Sequence, residues 1–308
     1  MTGSNDVVEM SKPSAANETL AQARARNIVD ALAEDVGVCD YTAQLVPDEP
    51  KAARLIVRET AVLCGRDWFE GCFKALDPQA QIDWSFEEGD EMSPGDVVCS
   101  IRCQARAMLT AERPAMNFLQ TLSAVATLTR QYVKAIEGAS PNPRGCHVLD
   151  TRKTLPGLRQ AQKYAVRMGG GQNQRMALWD GILIKENHIA AAGSVTAALQ
   201  AAEALNKTLQ AGVSIQIEVE TFEELQEALA AGATSLLIDN FTPEQMRQAV
   251  AMTQAICAEQ GREPAFLEAS GGIGLEGLRE IAATGVDRIS IGRLTKDIKA
   301  VDYSLRVV

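Results

Sequence analysis

A chain of 308 residues, 46% hydrophobic and 23% charged, is long enough for two domains or for one large barrel with an appendage. Its formal net charge of −10 argues against recognition of a nucleic-acid backbone, which needs a basic face, and no apolar run approaches the ~18–20 residues that span a bilayer. Seven scattered cysteines without a CxxC spacing, and only two histidines, His147 and His188, exclude a cysteine- or histidine-based zinc framework.

Residues 1–18 lack the basic start and apolar centre of a signal peptide and read as a mobile tail on a cytoplasmic protein. From Thr19 to Val36 apolar residues recur at helical spacing and stop at Gly37. "KAARLIVRETAVLCG" alternates like a strand, "DWFEGCFKAL" reads as a short helix, and the stretch from Ala80 to Leu109 reads as strands broken by Gly-Asp and Pro-Gly turns. A long helix is expected from Ala111 to about Glu137, with Pro114 in its first turn. After "GASPNPRG" six short apolar runs alternate with amphipathic segments: "CHVLDTR", "GILIKEN", "SIQIEVE", "SLLIDN", "AFLEASGG" and "RISIGR". Solid apolar strands separated by helices indicate a parallel sheet covered on both faces, here an incomplete α/β barrel.

Chemistry in such barrels sits at the carboxyl ends of the strands. Those ends carry Asp150, Arg152 and Lys153, then Lys185, Glu186 and Asn187, Glu218 and Glu220, Asp239 and Asn240, Ser270, Gly271 and Gly272, and Gly292 and Arg293. The segment from Asp150 to Arg175 gathers Arg152, Lys153, Arg159, Lys163, Arg167 and Arg175 against the single acid Asp150. Arginine presents a fork matched to carboxylate and phosphate, so the ligand carries several negative charges. Arg159, Lys163 and Arg167, four apart, either extend this cationic set or form one solvated helix face. The glycine turns at Ser270–Gly272 and Gly292 suit a phosphate. Glu218 and Asp239 are either helix caps and orienting groups or a pair that holds Mg²⁺ and sugar hydroxyls. Lys185 is either a Schiff-base lysine or a carboxylate clamp.

"LDTRKTLPGLRQAQKYAVRMGGG", "NQR", "DGILIKENHI", "EVE", "LIDNF", "ASGGI", "ISIGRLT" and, in the N-terminal half, "ERPAMNFLQTLSAVAT" resemble the quinolinate phosphoribosyltransferase family, in family order over about residues 20–306. The resemblance implies an α/β fold in which an N-terminal α/β sandwich domain (19–138) precedes an incomplete parallel α/β barrel (139–295), with residues 296–308 returning to the N-terminal domain. It implies transfer of phosphoribosyl from 5-phosphoribosyl 1-diphosphate to quinolinate with loss of CO₂, Mg²⁺ as the one cofactor and no organic cofactor. By motif position, quinolinate meets Arg113, Arg152, Gln174, Arg175 and Lys185. The phosphoribosyl diphosphate meets Thr151, Lys153, Glu218, Asp239, Ser270, Gly271, Gly272 and Gly292, with Lys153, Lys185, Glu218 and Asp239 expected as catalytic and Mg²⁺ on Glu218 and Asp239 through water. A homodimer, or a multiple of one, is expected to share its active sites, with no nucleic-acid or membrane partner. One departure stands out: Gln174 occupies the position where the family pattern "NHR" has histidine. It donates a hydrogen bond but carries no charge. A pyridine phosphoribosyltransferase with another acceptor and a Schiff-base aldolase using Lys185 are the alternatives.

Overall fold

The computed structural model describes residues 17–308, so the expected tail lies, except for its last two positions, outside the described residues. Helix α1 (Leu20–Val36) starts where the sequence predicts because Thr19 and Gln22 cap each other reciprocally, and it ends on Gly37 at φ 54°. Strands β1 (Pro50–Val57) and β2 (Ala61–Val62) follow, then helix α2 (Arg66–Leu76), strands β3 (Gln81–Trp84), β4 (Glu91–Met92) and β5 (Val97–Gln104), and the 32-residue helix α3 (Ala105–Ile136). Trp68, Phe69 and Phe73 of α2 are fully buried, and the Phe69 ring meets Trp84 edge-on at 5.5 Å.

Helix α3 begins six residues before the expected Ala111, which puts Pro114 inside the helix and Arg113 in its third turn. Remote groups cause the difference. The first amides are satisfied by acceptors far away in sequence: Gln104 N–H donates to Asp77 (2.9 Å) and Ala105 N–H to the Glu49 carbonyl (2.9 Å). Pro114 removes one internal hydrogen bond, and the burial of Ala111, Pro114, Ala115, Phe118 and Leu119 offsets that loss.

The second half holds six parallel strands: β6 (His147–Leu149), β7 (Gly181–Ile184), β8 (Ser214–Val219), β9 (Ser235–Asp239), β10 (Phe266–Ser270) and β11 (Arg288–Ser290). Helices α4 (Arg159–Met168), α5 (Glu186–Ala192), α6 (Val195–Thr208), α7 (Phe222–Ala230), α8 (Pro243–Glu259), α9 (Leu278–Ala282) and α10 (Arg293–Lys296) alternate with them. The strand order β6-β11-β10-β9-β8-β7 leaves β6 and β7 as unjoined edges, so the barrel has an open seam. Gln172 lies along that seam in a single parallel bridge to Leu149. The last strand, β12 (Tyr303–Val307), runs back to the first half of the chain and pairs antiparallel with β1, completing a four-stranded sheet of order β12-β1-β5-β3. Among the described residues no helix is long and apolar enough to cross a membrane.

Candidate active site

At the carboxyl ends of the barrel strands lies a cavity of about 190 Å³ lined by Thr151, Arg152, Lys153, Gln174, Arg175, Lys185, Glu218, Glu268 and Ser270, with Leu183, Leu237 and Ser290 between them. Parallel strands present alternate residues inward, so Leu183 of β7, Lys185 just past its end, Glu268 and Ser270 of β10, and Glu218 of β8 share this interior. The larger cavity, about 780 Å³, opens at the amino ends of the strands beside the seam. Its wall holds two cations, Arg175 and Arg288, against four in the smaller one, where we place the chemistry.

Four cations thus meet at the mouth. Arg152 Nε is buried without a hydrogen-bond partner, which is the state of a donor awaiting an anion. Burial, and secondarily the Arg152 guanidinium, push Arg175 below the usual arginine range. Its Nη1 donates to the Gly181 carbonyl at 2.8 Å, which ties the side chain to the start of β7. Lys185 Nζ is the cation of an ion pair with Glu218 at 2.5 Å. That engagement favours a clamp over a Schiff-base nucleophile, which requires a free neutral amine.

Of the glycine turns, the one at Gly271 demands glycine, whereas Gly292 has an ordinary φ of −66° and is crowded only by a lysine side chain. At Gly271 φ is +113° and an added Cβ would lie 2.5 Å from Asn240 Oδ1; at Gly292 it would lie 3.0 Å from Lys153 Cδ. The Gly292 backbone therefore approaches Lys153 closely. Thr151 Oγ1 accepts from the Lys153 amide at 3.1 Å, and Thr295 Oγ1 donates to the Lys153 carbonyl at 2.7 Å, so this lysine stands on a braced loop.

Other expected residues fall elsewhere. Asp239 does not line the cavity, and its carboxylate accepts from the Asn240 amide at 2.7 Å. The carboxylates whose oxygens converge, within 4.8 Å, are Glu186, Glu218 and Glu220. This is a hard oxygen set of the kind Mg²⁺ takes. Arg113 is exposed on α3 and absent from the cavity wall. Its guanidinium enters no ion pair among the described residues, including with its neighbour Glu112.

The basic run of α4 is not one solvated face, since Lys163 is buried, Arg159 half-buried and Arg167 exposed, and none of the three lines the mouth. Lys163 is fully buried and bonds to Asp150, itself fully buried, and to the Gln174 carbonyl at 2.7 Å. Burial pushes the Asp150 carboxyl up and the Lys163 ammonium down, and their mutual attraction opposes both. Arg159 braces the 152–154 loop through Thr154 Oγ1 and the Arg152 carbonyl, and Arg167 Nη1 donates to Asn173 at 2.7 Å.

Gln174 is not free to donate to a ligand carboxylate, contrary to expectation. Its Nε2 donates to both oxygens of Glu268 at 3.1 Å and to Gln216 Oε1 at 2.7 Å. Glu268 and Gln216 were not anticipated. The available signal was a polar residue set between apolar ones, Glu268 in "FLEAS" and Gln216 in "SIQIEVE".

Residues 125–306 match the family model "Quinolinate phosphoribosyl transferase, C-terminal domain", and residues 40–123 match the corresponding N-terminal domain. The chain is 39% identical to the probable nicotinate-nucleotide pyrophosphorylase [carboxylating] of Bacillus subtilis, over 89% of this chain and 90% of that protein. It is 34% identical to quinolinate phosphoribosyltransferase [decarboxylating] 1b of Nicotiana tabacum, over 90% and 80%. The solved nicotinate-nucleotide pyrophosphorylase from Francisella tularensis superposes with a TM-score of 0.86 at 38% identity, covering 95% of this chain and 100% of that one.

Proposed function

From its membership of the quinolinate phosphoribosyltransferase family, we infer that this chain divides the cations of its barrel mouth between two anionic substrates. The reaction is transfer of phosphoribosyl from 5-phosphoribosyl 1-diphosphate to quinolinate with decarboxylation, giving nicotinate mononucleotide, diphosphate and CO₂ in NAD biosynthesis. The observation that carries the division is the convergence of Arg152, Lys153, Arg175 and Lys185 on a cavity of about 190 Å³. That volume suits a single-ring acceptor and is below the ~300–1,000 Å³ of typical ligand pockets. The larger phosphoribosyl diphosphate then lies outward, over Lys153, Thr151, Ser270, Gly271, Gly272 and Gly292.

In this reading Arg152, Arg175 and Lys185 hold the two acceptor carboxylates and orient the ring nitrogen toward C1′ of the ribose. Glu218 and Asp239 sit beside the sugar, where positive charge develops as diphosphate departs. Lys153 takes negative charge on the leaving group. Glu218, with Glu186 and Glu220 close by and Asp239 through water, would hold Mg²⁺, which supplies charge neutralisation to diphosphate. Arg113 reaches the acceptor from a second chain, in a dimer whose two sites are shared. A cytoplasmic location accords with seven free cysteines, five of them buried. The direct test is assay of the purified protein with quinolinate, phosphoribosyl diphosphate and Mg²⁺, following nicotinate mononucleotide and CO₂.

Two expectations follow for substrates. Nicotinate carries one carboxylate and leaves part of the cationic clamp unpaired, so kcat/KM for quinolinate should exceed that for nicotinate by about a hundredfold or more. Comparable values would remove the dicarboxylate reading. By titration calorimetry, Lys153→Ala should weaken phosphoribosyl diphosphate binding by about tenfold or more, roughly 1.4 kcal/mol, with quinolinate little changed. Lys185→Ala should do the reverse for quinolinate. Loss of the same ligand by both variants would show that the division is wrong.

A further inference from the structure

We propose that Glu268 is the counter-charge for the pyridinium that forms in the acceptor site; the inference rests on the assignment of the barrel mouth as that site. Barrel interiors are normally filled by branched aliphatic side chains. Here the third residue of β10 is a carboxylate only 1% exposed, and no ion pair among the described residues uses it. Its partners are neutral amides: Gln174 Nε2 at 3.1 Å from each oxygen and Gln216 Nε2 at 2.9 Å. The three groups are layered. Gln216 lines only the lower cavity, Gln174 lines both, and Glu268 lines only the mouth. The amides therefore hold the carboxylate from below and present it to the acceptor without neutralising it.

The reaction gives that charge a use. Quinolinate arrives as a neutral pyridine bearing two carboxylates, a net charge of −2. Its nitrogen electron pair forms the bond to C1′ while the C1′–oxygen bond breaks and its pair leaves on diphosphate. The ring is then cationic and the acceptor carries −1. A site of cations alone favours the starting dianion over the state that follows, and so binds the substrate better than the transition state. An anion fixed in a largely dry floor corrects this, because it interacts most strongly once positive charge has developed on the ring. Glu218, the other acid in the wall, is already held by Lys185.

Glu268→Gln keeps size and hydrogen-bonding capacity and deletes the charge. We expect kcat to fall about tenfold or more, while quinolinate binding by calorimetry stays equal or tightens, since an anion has been taken from a dianion site. A defect of packing would weaken binding and lower the melting temperature instead. Glu268→Asp, which keeps the charge, should retain more kcat than Glu268→Gln, and this comparison also serves if the glutamine variant folds poorly. The proposal is overturned if Glu268→Gln turns over within about threefold of wild type, if its kcat loss comes with matching loss of quinolinate affinity, or if the aspartate variant is equally impaired. Arg152→Ala tests the underlying assignment separately: an unchanged KM for quinolinate would refute the acceptor site itself, whatever Glu268 does.

Discussion

Arg113→Ala and Lys153→Ala are each expected to be nearly inactive alone and to regain about a quarter of wild-type activity when equal amounts are dissociated and re-associated. Arg113 lies on α3, outside the barrel that supplies every other cation, and is absent from the mouth of its own chain. It is exposed and unpaired among the described residues, so its own fold gives it no partner. If Arg113 serves the partner's mouth, the mixed dimer contains one site with both defects and one with neither. Half of the re-associated dimers are mixed and half of their sites are intact, hence about a quarter. If it acts within its own chain, every site stays damaged. Heterodimers confirmed by mass with no recovered activity would end the shared-site reading.

Lys163→Met should cost about 3–5 kcal/mol of stability in denaturant unfolding, because it strands the fully buried Asp150 carboxylate without its cation. The same pair holds the loop that carries the acceptor clamp. Asp150 also accepts from the Gln174 amide at 2.9 Å and from Asn173, while Lys163 donates to the Gln174 carbonyl. The KM for quinolinate should therefore rise in the same variant. Burial already pushes Asp150 up, and removal of Lys163 pushes it further. A carboxyl raised in the folded state disfavours folding above its pKa, so the loss should be greatest near neutrality and shrink toward pH ~4. Asp150→Asn combined with Lys163→Met should lose less than the two single changes added together. A single-variant loss below about 1 kcal/mol would show that the pair is dispensable.

The six barrel strands were legible because buried parallel strands are written as unbroken apolar runs, and "HVL", "GILI" and "SLLID" are such runs. Arg152 and Lys153 were legible for a related reason: charge that directly follows a buried strand has few places to go but the barrel mouth. The four-residue spacing of Arg159, Lys163 and Arg167 was misleading, because spacing reports which side of a helix a residue occupies and not what lies opposite. Asp150, which decides the fate of Lys163, is thirteen residues away. The start of α3 was hidden similarly, since Asp77 and Glu49 satisfy its first amides across the fold. Glu268 and Gln216 were visible as polar intrusions, but their pairing depends on the register of β8, β9 and β10.

The return of β12 to β1 also sets an order of events during synthesis. Val57 pairs with Tyr303 and Ala53 with Val307. At the usual ~5–20 residues per second, roughly 12–50 seconds separate the emergence of β1 from that of its final neighbour. Throughout that interval β1 is an uncovered edge, able to accept a strand from another nascent chain. Its own composition is the protection available: Pro50 cannot donate to a ladder, and Lys51 and Arg54, both exposed, set charge along the open side.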